Sequence, residues 1–421
     1  MMPAMTRPAS PPCKAGFLNF MSELPSVTEA ERRIRARLPR FGIEKVSIDE
    51  AAGRVLRQVV HAERDQPPFD RVMMDGIAIA LGDGSRREFV VAGRQMAGMS
   101  GQALDDVSEC IEVTTGAMLP AGCDCVVPVE QIRRDGSRVR LADDWQPTPR
   151  QFIHPRGSDC RGGDELLSPG VRLRAPELAV LAANGLDMVE VTRVPSVAIV
   201  ATGDELAEVG QRSLGEGQIR RSNDRALAAA LRGRGFDDVH LTRVPDDLAA
   251  TTATLESLLA SRQVLVLSGG VSVGQRDFVP EALRSLGVEQ VLHRIAQRPG
   301  KPMWFGIGLR GQIVFALPGN PVSALVCAVR YLLPALDQAM GLAPRPPERV
   351  VLAEAAGTSP ALTCFVPVRV HDDDAARSVA VPVPMPTSGD FSALPRTDGV
   401  AELAPSDSRA PAGTVAYLYR W

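Results

Sequence analysis

The feature of this sequence that most constrains its fold is a glycine-rich loop between an apolar strand and a helix. Residues 264–267 are apolar and rich in β-branched side chains, as expected of a strand buried on both faces. Residues 268–277 contain three glycines, and residues 278–287 show helical spacing of apolar residues with a final glycine. Glycines let backbone N–H groups approach a ligand, and a helix N-terminus favours negative charge. The sequence therefore predicts an anion pocket here.

Two common phosphate-binding motifs do not match this loop. No Gly-Lys-Ser/Thr follows it, so it is not a Walker A loop. Its glycine spacing also differs from that of the Rossmann motif.

Strands alternate with helices through the stretch that surrounds the loop. This alternation predicts a parallel sheet with right-handed crossovers, in which ligands bind beyond the C-terminal ends of the strands. Three loops predicted at that edge carry unusual residues: 202–205, 268–277 and 318–321. We expect them to meet in one cleft.

The rest of the chain has a different pattern of apolar residues. Residues 88–173 and 350–421 are short alternating apolar runs cut by Gly and Pro, which predicts β-rich regions, and residues 342–349 form a Pro-rich linker. We predict an α/β plus β fold: a central three-layer α/β/α domain with a mostly parallel sheet, a β-rich N-terminal region of two domains and a small C-terminal β domain. The predicted divisions are a disordered tail (1–20), an elongated linker domain (21–65 and 147–193), an inserted β-rich domain (66–146), the α/β domain (194–341) and a β-barrel-like domain (342–421).

Composition excludes several classes of function. A net charge of −3 argues against general nucleic-acid affinity. No run of about 20 apolar residues occurs, so no membrane span is predicted. The seven cysteines and five histidines show no metal-ligand spacing, so we expect reduced, buried thiols in a cytoplasmic protein.

Five acidic residues stand at predicted strand ends or helix starts, and their roles allow more than one interpretation. Asp204 and Glu205 directly follow a strand, where they could hold Mg²⁺ or a ribose hydroxyl, or form a turn and a helix cap. Asp246 and Asp247 fit a helix cap best. Asp277 stands where a helix begins. If it faces the anion pocket, it would repel the ligand unless a cation such as Mg²⁺ lies between them.

A group of cations and a rigid turn accompany these acids. Arg294 and Arg298 are four residues apart, which places them on one face of either a helix or a strand. With Lys301 they suggest phosphate or oxyanion binding, and a solvated face is the alternative. Lys301 is one of three lysines among 47 basic residues, so a compact ammonium could be required there. Pro318 and Pro321 enclose a Gly-Asn turn, which indicates a rigid ligand wall.

Seven short motifs, in this order, resemble the molybdopterin molybdenumtransferase family, which includes MoeA and the gephyrin E-domain. They are residues 74–76, 114–117, 156–159, 202–206, 268–274 with Asp277, 299–302 and 317–323. The resemblance implies a cytoplasmic, Mg²⁺-dependent transferase that inserts molybdate into adenylated molybdopterin with release of AMP. It also implies a homodimer, because in the family Asp75 and Thr115 come from the partner subunit, and a molybdopterin adenylyltransferase as a further partner.

The resemblance also implies roles for individual residues. The implied catalytic residues are Asp75, Thr115, Glu205, Asp246, Asp277 and Lys301. The implied substrate-binding residues are Thr202, Gly203, Asn223, Ser268, Gly269, Gly270, Ser272, Gly274, Arg294, Arg298, Pro318, Asn320 and Pro321. The implied metal ligands are Asp204, Glu205 and Asp277.

The sequence departs from the family in two places. Arg294 and Arg298 stand where lysines are common, which keeps the charge but changes its geometry. The family usually places an arginine in the C-terminal domain where this chain has Pro367, and Arg369 lies two residues further along. The departure leaves an oxyanion role for Arg369 or Ser388 open.

Two other functions compete with this interpretation. A molybdopterin adenylyltransferase shares the α/β domain but lacks the domain with Asp75 and Thr115 and the C-terminal β domain. A non-enzymatic, gephyrin-like scaffold would not need the residues that favour catalysis, and this chain retains them: Asp204, Glu205, Asp277 and Lys301. Molybdenum insertion is the preferred hypothesis.

Overall fold

The computed structural model describes residues 24–271 and 277–421 of the chain. The predicted tail at residues 1–20, and Ser272 and Gly274 of the glycine-rich loop, lie outside the described residues.

The described residues form helices and strands that fall into three sequence regions. The N-terminal region contains α1 (Val27–Arg37), β1 (Ile43–Ser47), β2 (Val60–His61), β3 (Arg71–Val72), β4 (Gly76–Ile79), β5 (Glu88–Gln95), β6 (Glu109–Val113), β7 (Cys125–Pro128), β8 (Ile132–Asp135), β9 (Arg138–Leu141), β10 (Ile153–His154), β11 (Glu165–Leu167), α2 (Ala175–Ala183) and β12 (Met188–Thr192). The central region contains β13 (Val197–Thr202), β14 (Leu206–Ala207), β15 (Ile219–Arg220), α3 (Asn223–Arg232), β16 (Val239–Val244), α4 (Leu248–Ser261), β17 (Val264–Ser268), α5 (Val279–Ser285), β18 (Glu289–His293), β19 (Gln297–Arg298), β20 (Trp304–Ile307), β21 (Ile313–Leu317), α6 (Pro321–Cys327) and α7 (Leu333–Ala339). The C-terminal region contains β22 (Glu348–Leu352), β23 (Thr363–Asp372), β24 (Ser378–Pro382), β25 (Gly399–Leu403) and β26 (Val415–Arg420).

The central region is built on a mixed six-stranded sheet with the order β16-β13-β17-β21-β20-β18. The first four strands are parallel to one another, whereas β20 runs antiparallel to both β21 and β18. Ala201, Ser268 and Leu317 are aligned across β13, β17 and β21. Because these residues lie at or next to the last position of their strands, the loops that follow leave the sheet at one edge.

Helices cover both faces of this sheet. In β13, Val197 and Ile199 pack with residues of α3, α6 and α7. Ala198 and Val200 point the other way and pack with residues of α4 and α5. The apolar runs of β17 and β21 alternate in the same manner, which explains why these strands are apolar on both sides.

The N-terminal region contains a second six-stranded sheet, with the order β7-β4-β6-β5-β9-β8. Three short antiparallel pairs, β1 with β12, β2 with β11 and β3 with β10, join the segments before and after that sheet. The sheet is therefore inserted into the element that these pairs build.

The C-terminal strands close into a ring of five, because β23 pairs with both β24 and β25 while β22 and β26 complete the circuit. This ring is a small β-barrel.

Helix α6 continues into α7 through a π-helical turn at Ala328–Leu332. Pro334, in the first turn of α7, lacks the N–H that would bond four residues back, and this loss favours the wider turn.

Residues 321–339 are long and apolar enough to cross a membrane by length and composition, yet 78% of their most apolar window is buried inside the protein. They pack in the largest described core, as a core helix would.

Arg330, in the π-helical turn, joins three regions of the chain. Its guanidinium contacts Glu31 of α1 at 2.8 Å and Glu402 of β25 at 2.9 Å. It also lies over the Tyr331 and Tyr419 rings, with centroid distances of 5.2 and 5.0 Å. Burial disfavours the charge, but the nearby carboxylates outweigh it and raise the pKa of Arg330. The buried cation therefore ties α1, the central helix and the barrel together.

Candidate active site

A cleft of about 1030 Å³ lies at the edge of the central sheet where the parallel strands end. The three loops predicted from the sequence all contribute to it. The predicted site residues that line it are Thr202, Gly203, Glu205, Asn223, Asp246, Ser268, Gly269, Gly270, Asp277, Pro318, Asn320 and Pro321. Its other walls come from the short β14–β15 arm, from Pro302, and from Gly389 and Phe391 of the C-terminal region.

The floor of the cleft requires glycine. Gly269 and Gly270 have φ angles of +99° and +68°. A Cβ atom on Gly269 would lie 2.5 Å from Thr202 Oγ1 and 2.8 Å from the Thr202 carbonyl oxygen. On Gly319 it would lie 3.7 Å from the Gly269 Cα atom. The three loop backbones are therefore in close contact, and backbone atoms rather than side chains form the floor.

Asn223, the first residue of α3, bridges two of the loops. Its Nδ2 donates to Ser268 Oγ at 2.9 Å and to the Gly319 carbonyl at 2.7 Å. Both donor hydrogens of the amide are thereby engaged. In this conformation Asn223 acts by holding the glycine-rich loop against the Pro-Gly-Asn-Pro loop.

Arg243, on strand β16, holds the loop that carries Glu205, and the sequence interpretation missed it. Its guanidinium donates to the Gly203 carbonyl through Nε at 3.2 Å and Nη2 at 3.0 Å. Nη2 also donates to the Asp204 carbonyl at 3.3 Å. A Cβ atom on Gly203 would lie 2.4 Å from Glu205 Oε2, so the Glu205 carboxylate folds back over that glycine. Arg243 therefore fixes the turn that sets the position of Glu205.

The adjacent carboxylates Asp204 and Glu205, which follow β13, have different surroundings. Glu205 lines the cleft, whereas Asp204 does not. Asp204 Oδ1 instead accepts a hydrogen bond from the Asp246 N–H at 3.1 Å, as a turn residue does. Asp246 itself lines the cleft, and its neighbour Asp247 caps α4 by accepting from Ala250 N at 2.7 Å. The cap predicted for the pair belongs to Asp247 alone.

The predicted metal ligands are not assembled in advance. Within residues 24–271 and 277–421 no group of three or more His, Cys, Asp or Glu side chains is placed to hold a metal ion. Glu205 and Asp277 share the cleft, whereas Asp204 does not line it and its Oδ1 accepts from the Asp246 amide. Apart from Asp224, which is ion-paired with Arg221, the acids that line the cleft are Glu205, Asp246 and Asp277. Asp204 is not among them, and the ligand set of Asp204, Glu205 and Asp277 stays a prediction.

The predicted cations are not among the described residues that line the cleft. Among the residues described, the cleft wall includes Pro302 but not Lys301, Arg294 or Arg298. The expectation that both arginines share one face of a single element is wrong. Strand β18 ends before Arg294, which has a φ of +67°, and Arg298 belongs to β19, which pairs with β23 of the C-terminal region.

Two arginines that sequence reasoning did not single out do line the cleft. Arg220 donates to the carbonyls of Val209 and Gln211 and so shapes the β14–β15 arm. Arg221 is buried, with ion pairs to Asp224 at 2.5 Å and to Glu208 at 2.7 Å. Burial opposes its charge, but these carboxylates outweigh burial and raise the pKa of Arg221. The position of Arg220 and Arg221 at the end of β15 could not be read from local spacing.

His293 lies beside the glycine-rich loop. Its Nε2 is 3.5 Å from the Val271 carbonyl oxygen. Burial lowers the pKa of His293, so its imidazole is neutral at neutral pH. The histidine therefore contributes a hydrogen-bonding group rather than a cation next to Asp277.

Asp75 and Thr115 form a pair beside the N-terminal sheet, just before β4 and just after β6. Asp75 Oδ1 accepts from the Thr115 N–H at 2.6 Å and from Thr115 Oγ1 at 2.8 Å. These bonds lower the pKa of Asp75, so it is ionised at neutral pH. Both residues are exposed and neither lines the cleft of its own chain.

The fold and the cleft define the class of open-sheet α/β proteins that bind a small-molecule ligand beyond the ends of parallel strands. Three family models match consecutive parts of the chain. They are described as the MoeA N-terminal region, domains I and II (residues 25–185), a probable molybdopterin binding domain (198–338) and the MoeA C-terminal region, domain IV (349–421).

Individual relatives agree with these models. The molybdopterin molybdenumtransferase of Synechocystis is 38% identical over 94% of this chain and 100% of its own length. That of Synechococcus elongatus is 35% identical over 78% and 83%. The crystal structure of the molybdopterin biosynthesis MoeA protein of Pyrococcus horikoshii has a TM-score of 0.80 and 26% identity, with 95% and 100% covered. The chain therefore belongs to the molybdopterin molybdenumtransferase (MoeA) family, which confirms the resemblance seen in its motifs.

Proposed function

We propose that this chain is a transferase of molybdenum cofactor biosynthesis whose cleft inserts molybdate into adenylated molybdopterin and releases AMP. The names of its relatives favour molybdenum insertion over adenylation or a scaffold role. The observation that carries the proposal is the convergence of the three strand-end loops, which puts a glycine backbone floor and the carboxylates of Glu205, Asp246 and Asp277 in one cleft.

The chemistry divides between the floor and the walls. Gly269 and Gly270, which carry no side chain, let phosphate oxygens approach the backbone of the loop. Glu205, Asp246 and Asp277 line the same cleft, where we expect them to face the phosphoanhydride. In the proposed reaction the two thiol sulfurs of the pterin bind molybdenum while one molybdate oxygen leaves as water with the two thiol protons. Water adds to phosphorus as the bridging P–O bond breaks, which releases AMP and leaves the phosphate on the pterin. A carboxylate among these acids accepts the proton of that water.

The acids of the cleft fit a divalent cation such as Mg²⁺. Mg²⁺ in proteins is commonly held by one or two carboxylates together with substrate phosphates. Glu205, Asp246 and Asp277 supply oxygen ligands of this kind without forming a closed cage. When bound, the ion would neutralise phosphate charge and so lower the repulsion between the anhydride and these acids.

Further parts of the proposal concern assembly. The central region, with helices on both faces of its sheet, is proposed as a three-layer α/β/α domain. We also propose a cytoplasmic homodimer in which the Asp75–Thr115 pair of one subunit completes the cleft of the other. Both residues are exposed and lie outside the lining of their own cleft, which supports this arrangement. An adenylyltransferase would supply the adenylated substrate.

The reaction is tested by comparing two incubations of the purified chain. With adenylated molybdopterin, we expect AMP release that depends on added molybdate and on a divalent ion. With ATP and molybdopterin, we expect no adenylation. Adenylation from ATP without molybdate-dependent AMP release would replace insertion by the adenylyltransferase function.

The proposed dimer predicts that two inactive variants restore activity together. In a two-fold dimer of Asp75→Asn with Glu205→Gln, one cleft carries both altered residues and the other carries neither. Co-expressed, separately tagged chains purified as mixed dimers should therefore recover molybdate-dependent AMP release. Mixed dimers that stay as inactive as either parent would show that Asp75 acts within its own chain.

A further inference from the structure

The cleft carries exposed apolar side chains that the anion chemistry does not use. Among the residues that line it, Leu214 is 36% exposed, Ile219 58% and Phe391 64%. Scattered exposed apolar residues are ordinary on protein surfaces, but these three border a single cleft. Leu214 and Ile219 belong to the β14–β15 arm of the central region, whereas Phe391 comes from the C-terminal region.

Phe391 lies in a turn that is stabilised by hydrogen bonds. Its N–H donates to the Gly389 carbonyl at 3.0 Å, and the Asp390 carboxylate accepts from both the N–H and the hydroxyl of Ser392. The turn is fastened to the cleft wall through Ser388. Ser388 Oγ accepts from Asn320 Nδ2 at 2.8 Å, and the Ser388 carbonyl accepts from Val322 N at 3.1 Å. The turn that carries the exposed ring is thus anchored to the Pro-Gly-Asn-Pro loop and the start of α6.

We propose that Phe391, with Leu214 and Ile219, forms a subsite for a flat, fused heteroaromatic ring at the cleft. The inference rests on the proposed function, because adenylated molybdopterin carries two such rings, a purine and a pterin. Stacking of a base on an aromatic side chain contributes about 1–3 kcal/mol per ring. Aliphatic side chains bordering the same cleft add apolar contact area and exclude water from the ring. The polar floor would then hold phosphates while this apolar border holds a ring.

The arrangement gives the C-terminal barrel a role in substrate recognition. The Ser388–Asn320 bond couples the turn that carries Phe391 to the loop that forms the anion wall. Ring and phosphates of one ligand would therefore be bound by two regions held at a fixed spacing.

The test is calorimetric binding to the full-length chain. The probes are AMP, ribose 5-phosphate, which lacks the ring, and a soluble pterin, which lacks the phosphate. Phe391→Ala should weaken the binding of AMP or of the pterin about 5- to 150-fold, as 1–3 kcal/mol implies. Ribose 5-phosphate should bind the variant and the unaltered chain equally. Phe391→Trp should restore ring binding. Leu309→Ala is the matched control, because Leu309 is 83% exposed and does not line the cleft.

The outcomes separate the two proposals. If Phe391→Ala weakens the binding of AMP alone, the subsite binds the purine. If it weakens the binding of the pterin alone, the subsite binds the pterin. Equal binding of both ring probes by Phe391→Ala and the unaltered chain, or an equal loss of ribose 5-phosphate, would overturn the subsite. Molybdate-dependent AMP release by the unaltered chain, measured separately, then shows whether the proposed function still stands. A ring subsite in a chain without that release would overturn the function alone.

Discussion

Replacing Glu205 by Gln is expected to lower molybdate-dependent AMP release about 100-fold or more, with the fold unchanged. The substitution keeps the size of the side chain but removes the charge and proton-accepting capacity at the cleft, and general acid–base groups typically contribute about 10²–10⁴-fold. Steady-state rates of AMP release and thermal melting curves measure the two effects. Asp277→Asn should behave in the same way.

Glu256→Gln is the matched control for these variants. Glu256 is an exposed residue of α4 that does not line the cleft, so its neutralisation should leave turnover unchanged. If Glu205→Gln and Asp277→Asn both released AMP at the unaltered rate, the two acids would be turn and helix-start residues only. The reaction would then need another set of groups.

Replacing Arg330 by Met is expected to destabilise the protein by about 3–5 kcal/mol. The side chain is 7% exposed and faces Glu31 and Glu402, which are 28% and 18% exposed. Its removal leaves two partly buried carboxylates without their cation and also removes the contacts with the rings of Tyr331 and Tyr419. Thermal and denaturant unfolding, followed by circular dichroism, measure the loss.

Arg420→Met provides the comparison for this prediction. Arg420 pairs with Glu348 at 2.9 Å, but the two side chains are 45% and 55% exposed, and such surface pairs contribute about 0–1 kcal/mol. A loss no larger for Arg330→Met than for Arg420→Met would mean that Arg330 does not hold α1, the core helix and the barrel together.

Residue patterns along the chain predicted the strands and the loops that form the cleft. Apolar, β-branched runs predicted β13, β17 and β21, and the Gly and Pro residues that follow them predicted the loops of the cleft. The family resemblance rests on the same loops, and the relatives confirm it. The assignment of catalytic roles to individual side chains stays a prediction.

Spacing could not decide which side chains enter the cleft. Asp204 and Glu205 are neighbours with the same chemistry, and the φ of +141° at Gly203 together with the bonds from Arg243 separates them. The even spacing of Arg294 and Arg298 carried no information on their faces, because β18 ends before Arg294 and Arg298 belongs to β19. These are consequences of contacts with distant strands.

By itself, the sequence determined the alternation of strands and helices, the glycine floor and the family, since each depends on residues close together in the chain. Only the tertiary structure decided that Arg221 and Phe391 reach the cleft and that Asp204 does not. The physical reason is that a strand-end loop is positioned by its neighbours in space. For this cleft those neighbours include β16, the β14–β15 arm and a turn of the C-terminal barrel region.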